Sequence, residues 1–347
     1  MVRVAHPGKI WQMTRPCTLE NLPTAFARGK PGTPVRRTAL TPAFRGVVLW
    51  RPEQHAMTAG SAVIRVGPAG WSYPDWKGIV YPPEMPRQLH PLEYLSRYFD
   101  TIEVNASFYR PFPPGNAERW VNLLRGNPGF KFTAKLYRAF THERESWPQQ
   151  PDIDAVRAGF DVLMGAQRLG AVLVQFPWSF KRTVENRQWL ARVLGTFSEY
   201  PLALEVRHAS WNRPEVFDEL ARREIAFCNV DQPLFSGSLG PTARVTARVG
   251  YVRLHGRNAG DWFREDAGRN ERYDYLYSLE ELNPWLQKIE RLRERAAELY
   301  VITNNHYRGQ AVVNAFELQT ALGIQKGARL PESLRDAYPR LSGASSG

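Results

Sequence analysis

From Val63 onward the chain alternates two kinds of hydrophobic pattern. Short β-branched runs recur at AVIRVG (62–67), TIEVN (101–105), FKFTAK (130–135), AVLVQF (171–176), LALEVR (202–207), IAFCNV (225–230), YVRLHG (251–256) and LYVITN (299–304). Between most of them lie stretches with helical spacing of apolar residues, such as IDAVRAGFDVLMGAQRLG (153–170), VENRQWLARVLGTF (184–197) and QAVVNAFELQTALG (310–323). Strands that alternate with helices pair in parallel through crossovers. Eight such units in about 260 residues predict an α/β fold of the (β/α)8 TIM-barrel type. Ser278 and Glu281 have the spacing of a capping box, with Tyr277 and Leu282 as its hydrophobic staple, and mark a helix start. QPLFSGSLGPTARVTARVG, between the sixth and seventh strands, has no helical period and predicts an irregular connection. A doubly wound open sheet is the competing fold. It ranks lower because GPAGWSYPDW after the first strand lacks the spacing of a dinucleotide-binding loop.

Alternation along a strand assigns faces. In LALEVR, Leu202, Leu204 and Val206 are expected against helices, and Ala203, Glu205 and Arg207 toward the barrel axis. The same parity turns Glu103, Asn105, Thr133, Lys135, Gln175, Asn229, Asp231, Arg253 and His255 inward. Asn304 and Asn305 occupy both parities, and Cys228, opposite in parity to Asn229, is expected to face helices as a buried thiol. These polar residues gather at the C-terminal strand ends, where barrel enzymes build their sites. Ion pairs that merely pack the interior are the bland alternative.

Charge narrows the chemistry. Glu103, Glu205 and Asp231 against Lys135, Arg207 and Arg253 predict an ion-pair network at a solvated rim. Glu103, Glu205, Asp231 and His255 are suitable metal ligands by type, but the interleaved cations would repel a divalent ion, so neither metal nor cofactor is expected. Aromatic residues follow the strands: Trp71, Tyr73, Trp76 and Tyr81 after the first, Phe108 and Tyr109 after the second, Trp211 after the fifth. Their faces can stack sugars or bases, or simply pack the loops. Arg138, Arg144 and Arg257 add to an anion-friendly mouth. His208 and Ser210 lie close in sequence but make no triad, and His208 is expected to hydrogen-bond its own loop.

The whole chain has 347 residues, 43% of them hydrophobic, and a formal net charge of +12. Two cysteines, Cys17 and Cys228, exclude a disulfide framework or a multi-cysteine zinc site. No apolar run approaches the roughly 18 residues of a membrane helix. The N-terminus lacks the apolar core of a secretory signal. A cytoplasmic protein with no membrane partner is the expectation. Residues 1–56 hold nine Lys and Arg against Glu20 and Glu53 and are rich in Pro and Gly. They are expected to form a disordered basic extension before a barrel domain at 57–325 and a C-terminal tail at 326–347.

GWSYPDWKGIVYPP, TIEVNASFYRPFP, FKFTAK, LGAVLVQFPWSF, LALEVRHASW, YVRLHG and the Asn304–Asn305 pair resemble, in order, the YecE-like family, a domain of unknown function numbered 72. The resemblance spans about 64–323. It implies a TIM barrel and supplies no established reaction. Its motifs pick out Trp71, Tyr81, Glu103, Asn105, Phe108, Tyr109, Lys135, Gln175, Pro177, Glu205, Arg207, Trp211, Arg253, His255 and Asn305. Trp178 departs from the family's usual proline and alters that loop.

The leading expectation is an enzyme, a hydrolase, lyase or isomerase, using acid–base chemistry on an anionic, phosphorylated or sugar-containing substrate. Glu205 or Glu103, with Asp231 nearby, would serve as acid or base, and His255 would shuttle a proton. Lys135, Arg207 and Arg253 would hold the anion. Trp71, Tyr81, Asn105, Tyr109, Gln175, Trp211 and Asn305 would complete the binding surface. A nucleic-acid-binding or processing protein and a non-catalytic ligand-binding module are the alternatives. The oligomeric state is left open.

Overall fold

The computed structural model describes residues 62–260, 264 and 269–341. The expectation for residues 1–56 lies outside them. Eight strands appear where the β-branched runs predicted them: β1 (Val63–Pro68), β2 (Thr101–Val104), β3 (Lys131–Lys135), β4 (Leu169–Gln175), β5 (Leu202–Glu205), β6 (Ala226–Asp231), β7 (Val249–Leu254) and β8 (Glu298–Thr303). Every paired neighbour is parallel, in the order β1-β8-β7-β6-β5-β4-β3-β2. The ends of that row meet. Ala69 bridges Glu103 in parallel, and the Gly70 amide donates to the Glu103 carbonyl at 2.8 Å. The fold is a TIM barrel.

Among the described residues, helices lie between and after the strands, and all but three short ones, at 106–109, 269–272 and 332–337, fall in intervals the apolar periodicity assigned. They are α1 (Pro91–Ser96), α2 (Ala106–Tyr109), α3 (Pro114–Leu123), α4 (Gln150–Gly165) and α5 (Val184–Thr196). After β5 come α6 (Pro214–Arg222), α7 (Arg269–Arg272), α8 (Leu279–Arg293), α9 (Gln310–Ala321) and α10 (Glu332–Ala337). The expected capping box starts α8: Ser278 accepts from the Glu281 amide and Glu281 from the Ser278 amide. Tyr277 and Leu282 are buried beside it. The C-terminal tail docks on the barrel, with Leu334 and Leu341 buried and Arg340 bonded to Glu317 at 2.7 Å.

Two glycines let the ring close. A Cβ on Gly67 would sit 1.9 Å from the Thr101 carbonyl oxygen, so only glycine lets β1 approach β2. A Cβ on Gly170 would meet the Tyr300 hydroxyl at 2.1 Å, so its absence admits a large ring to the barrel interior. The β3–β4 register shifts at that point.

The inward parity holds on β2, β3, β5 and β7 but fails on β6. Cys228 faces the axis, its Sγ 3.9 Å from Glu205 Oε2. Asn229 and Asp231 therefore face outward, and each finds its partners there. Asn229 accepts from the Thr242 hydroxyl and the Arg244 amide, both at 2.7 Å, and so pins the irregular β6–β7 connection. Asp231 accepts from Arg257 twice and from the Trp285 indole of α8. Polar groups on an outer face need such partners because burying them unbonded is costly.

Candidate functional site

Beneath the C-terminal rim lies a buried ionic layer. Glu205, at the end of β5, is fully buried. Its Oε1 accepts from Arg207 Nε at 2.9 Å and sits 3.1 Å from His255 Nε2, while Oε2 accepts from Arg253 Nη1 at 2.7 Å. The same Arg253 donates from Nη2 to Glu103 Oε1 at 2.6 Å. The second Glu103 oxygen accepts from the Tyr251 hydroxyl at 2.9 Å, and that hydroxyl lies 2.8 Å from Thr133 Oγ1. One guanidinium thus joins two carboxylates that are far apart in sequence. The expectation of a solvated rim acid is overturned for both glutamates: each lies below the rim, committed to cations.

Proton states follow from these contacts. Burial alone would push the Glu205 carboxyl up, but Arg253, the His255 contact and Arg207 outweigh it and hold it well below the ordinary value. Burial, aided by the two guanidiniums, lowers His255 to about 3 despite Glu205, so the ring is neutral. Its partners assign the tautomer: Nε2–H donates to Glu205, and Nδ1 accepts from the Asn304 amide at 3.0 Å.

Above this layer opens a cavity of about 390 Å³. Its lining comes from the ends of several strands: Tyr73 after β1, Asn105, Phe108 and Tyr109 at α2, Lys135 at the end of β3, and His142 beyond it. Gln175, Pro177 and Trp178 follow from β4, Arg207 from β5, Arg272 and Tyr273 from the end of α7, and Asn304 and His306 from β8. Among the described residues no carboxylate lines it. The Lys135 ammonium lies 4.0 Å from the centre of the Phe108 ring. Among the described residues it has no hydrogen-bond or ion-pair partner. Burial and the nearby Arg253 lower it to about 7, against the pull of Glu103 and Glu205. His142 packs edge-on against Phe108 and is lowered to about 3, by burial first and then by Lys135 and Arg207.

Other sequence candidates lie away from the cavity wall. Trp71 packs outward on Trp120 and Phe132, and its carbonyl accepts from the Tyr81 hydroxyl, so both residues brace the β1–α1 loop. Trp211 stacks on Phe180 and bonds its carbonyl, behind the β4 loop. Asn305 turns toward α9, donating to Asn314 and to the Tyr275 carbonyl, while its neighbour Asn304 takes the cavity position. Asp231 and Arg257 pair on the helix side. Arg138 pairs with Glu143, and Arg144 bonds Asn186. His208 bonds the Ser210 amide and hydroxyl within its loop. His142, Arg272, Tyr273 and His306 were not singled out by the sequence reading. His306 had a signal, since it directly follows the Asn304–Asn305 pair.

No three described His, Cys, Asp or Glu side chains are grouped to hold a metal ion. No helix among the described residues is long and apolar enough to cross a membrane.

Residues 65–337 match the family described as "Protein of unknown function DUF72". The chain belongs to the DUF72 family. UPF0759 protein YunF of Bacillus subtilis is 30% identical over 285 residues, which cover 78% of this chain and 99% of that protein. A DUF72 family crystal structure from Thermotoga maritima is 36% identical, with a TM-score of 0.65 over 75% of this chain and 99% of its own. One from Enterococcus faecalis is 23% identical, with a TM-score of 0.66 over 78% of this chain and all of its own, and shares the fold. The DUF72 match thus extends past α9 into α10, beyond the stretch carried by the sequence motifs.

Proposed function

We propose that the cavity binds a small anionic substrate and that Lys135 serves there as the acid–base group. Lys135 carries the reading. It stands at the cavity wall with no described counter-ion, over carboxylates already held by Arg253 and Arg207. With Asp231 turned outward, the described inner charges are three cations, Lys135, Arg207 and Arg253, against two carboxylates. The surplus is relieved in two ways: Lys135 loses its proton, or an anion arrives. A group that titrates near the working pH is suited to proton transfer. Arg207 lines the cavity and brings a guanidinium charge for a carboxylate or phosphate. Glu103, Glu205 and His255 act in this reading as buried support that positions Arg253 and Arg207, and Phe108, Tyr109 and Trp178 supply flat faces for the body of the substrate.

The sign of the pH dependence follows. A bound anion favours protonated Lys135, so binding takes up a proton when the free amine is neutral. Affinity for a small carboxylate, whose own charge is fixed in this range, should therefore fall as pH rises through about 7. Titration calorimetry across that range, in buffers of different ionisation enthalpy, reads both affinity and proton uptake. Arg207→Gln should weaken binding at least about tenfold, the scale of one lost charge-assisted hydrogen bond. Phosphate and small carboxylates that do not bind at all, or small carboxylates that bind with no dependence on pH, would overturn the reading.

A further inference from the structure

Resting on that reading, we infer that the Lys135 amine is also a nucleophile, and that the substrate is a carbonyl compound bearing a carboxylate or phosphate, held as an imine on Lys135. Three observations support it. The first is that the amine is unanchored: among the described residues no hydrogen bond or ion pair fixes it. A lysine that serves only as a structural cation is normally held by a carboxylate, and the two nearby carboxylates instead hold Arg253, Arg207 and Tyr251. The second is the Phe108 face, which closes one side of the amine and excludes water there. The third is the rest of the cavity wall. Asn105, Gln175 and Asn304 bring side-chain amides to the wall, beside Arg207, whose Nε and Nη2 face Glu205 and His255 and whose positive charge draws an acidic group. Among the described lining residues there is no Ser, Thr or Cys to compete as nucleophile.

The step balances without a redox partner. The Lys135 lone pair adds to the carbonyl carbon while the carbonyl π pair moves onto oxygen. That oxygen leaves as water, its two hydrogens coming by relay from the attacking nitrogen, and the C=N bond replaces the C=O bond. Only the neutral amine starts this sequence. A cationic neighbour and a dry wall keep a lysine neutral and reactive in this way, and both are present here as Arg253 and Phe108.

The experiment uses the full wild-type chain, so no variant has to fold. Protein at neutral pH is incubated with glyoxylate and sodium cyanoborohydride, and peptide mass mapping follows carboxymethylation at Lys135 and at exposed Lys77. Lys135 is expected to be labelled at least about tenfold faster than Lys77, the direction set by its larger neutral fraction. Inorganic phosphate should slow labelling at Lys135 and leave Lys77 unchanged. Glyoxylate should label Lys135 faster than acetaldehyde does, because only glyoxylate brings a charge for Arg207. Labelling of Lys135 no faster than Lys77 while phosphate still binds would overturn the imine and leave the anion site standing. Failure of both labelling and phosphate binding would overturn the two together. Equal rates with acetaldehyde and glyoxylate would overturn the acidic substrate class.

Discussion

At the scale of single residues, Lys135 is placed against stability. Its amine titrates near 7 in the folded protein and at 10.5 in a free chain. Between those values the unfolded chain binds more protons, so the stability from this position falls as pH drops from 10.5 to 7. Lys135→Met, of similar length and without charge, should raise Tm at neutral pH and flatten its pH dependence across that window. Thermal melts of both proteins from neutral to alkaline pH check this, and a lower Tm for the methionine form would show that the charge stabilises the fold. Glu205 behaves in the opposite way. Glu205→Gln removes a buried charge from Arg253 and Arg207, and breaking such a pair costs about 3–5 kcal/mol. Leu204→Ala, one position earlier on the helix-facing side, costs about 2–5 kcal/mol. Denaturant melts should find the two losses comparable, and a near-neutral Glu205→Gln would mean that the ionic layer is not a structural brace. The residue types of this site were legible in the sequence, but their depth was not. Alternation says which way Glu205 points; only the closed ring sets whether water reaches it.

Elements were read well where period and chemistry agreed. The eight β-branched runs each became a strand, and the Ser278–Glu281 spacing became the cap of α8. β6 departs from the inward parity that its polar residues predict. Cys228 is the inward residue, and the polar Asn229 and Asp231 are satisfied by the β6–β7 connection and by α8. Nothing local announces partners that arrive from Thr242, Arg244 or Trp285. The β1–β2 seam makes a test at this scale. Gly67→Ala would drive a methyl group into the Thr101 carbonyl and should abolish or severely weaken folding. Gly115→Ala, in the first turn of α3 with open space around it, should stabilise by about 0.4–1 kcal/mol. Soluble yield and Tm separate them, and a well-folded Gly67→Ala protein would mean that the seam opens without loss.

For the molecule as a whole, the count and order of units were enough to name the barrel, because eight alternations fit few other architectures. The charge balance inside it was not recoverable, since turning one aspartate outward changes three acids against three bases into two against three. The ring also brings the first and last strands together: Arg65 on β1 pairs with Glu298 on β8, 233 residues later. On a ribosome adding roughly 5–20 residues per second, β1 therefore waits on the order of 10–50 seconds for its neighbour. Glu103 emerges before Arg253, the cation that neutralises it, by 150 residues of synthesis. During that interval the nascent barrel holds an acid that it cannot bury and an open edge that it cannot pair. Pairing of Glu103 therefore needs the arginine that β7 brings, and pairing of the β1 edge needs β8 after it.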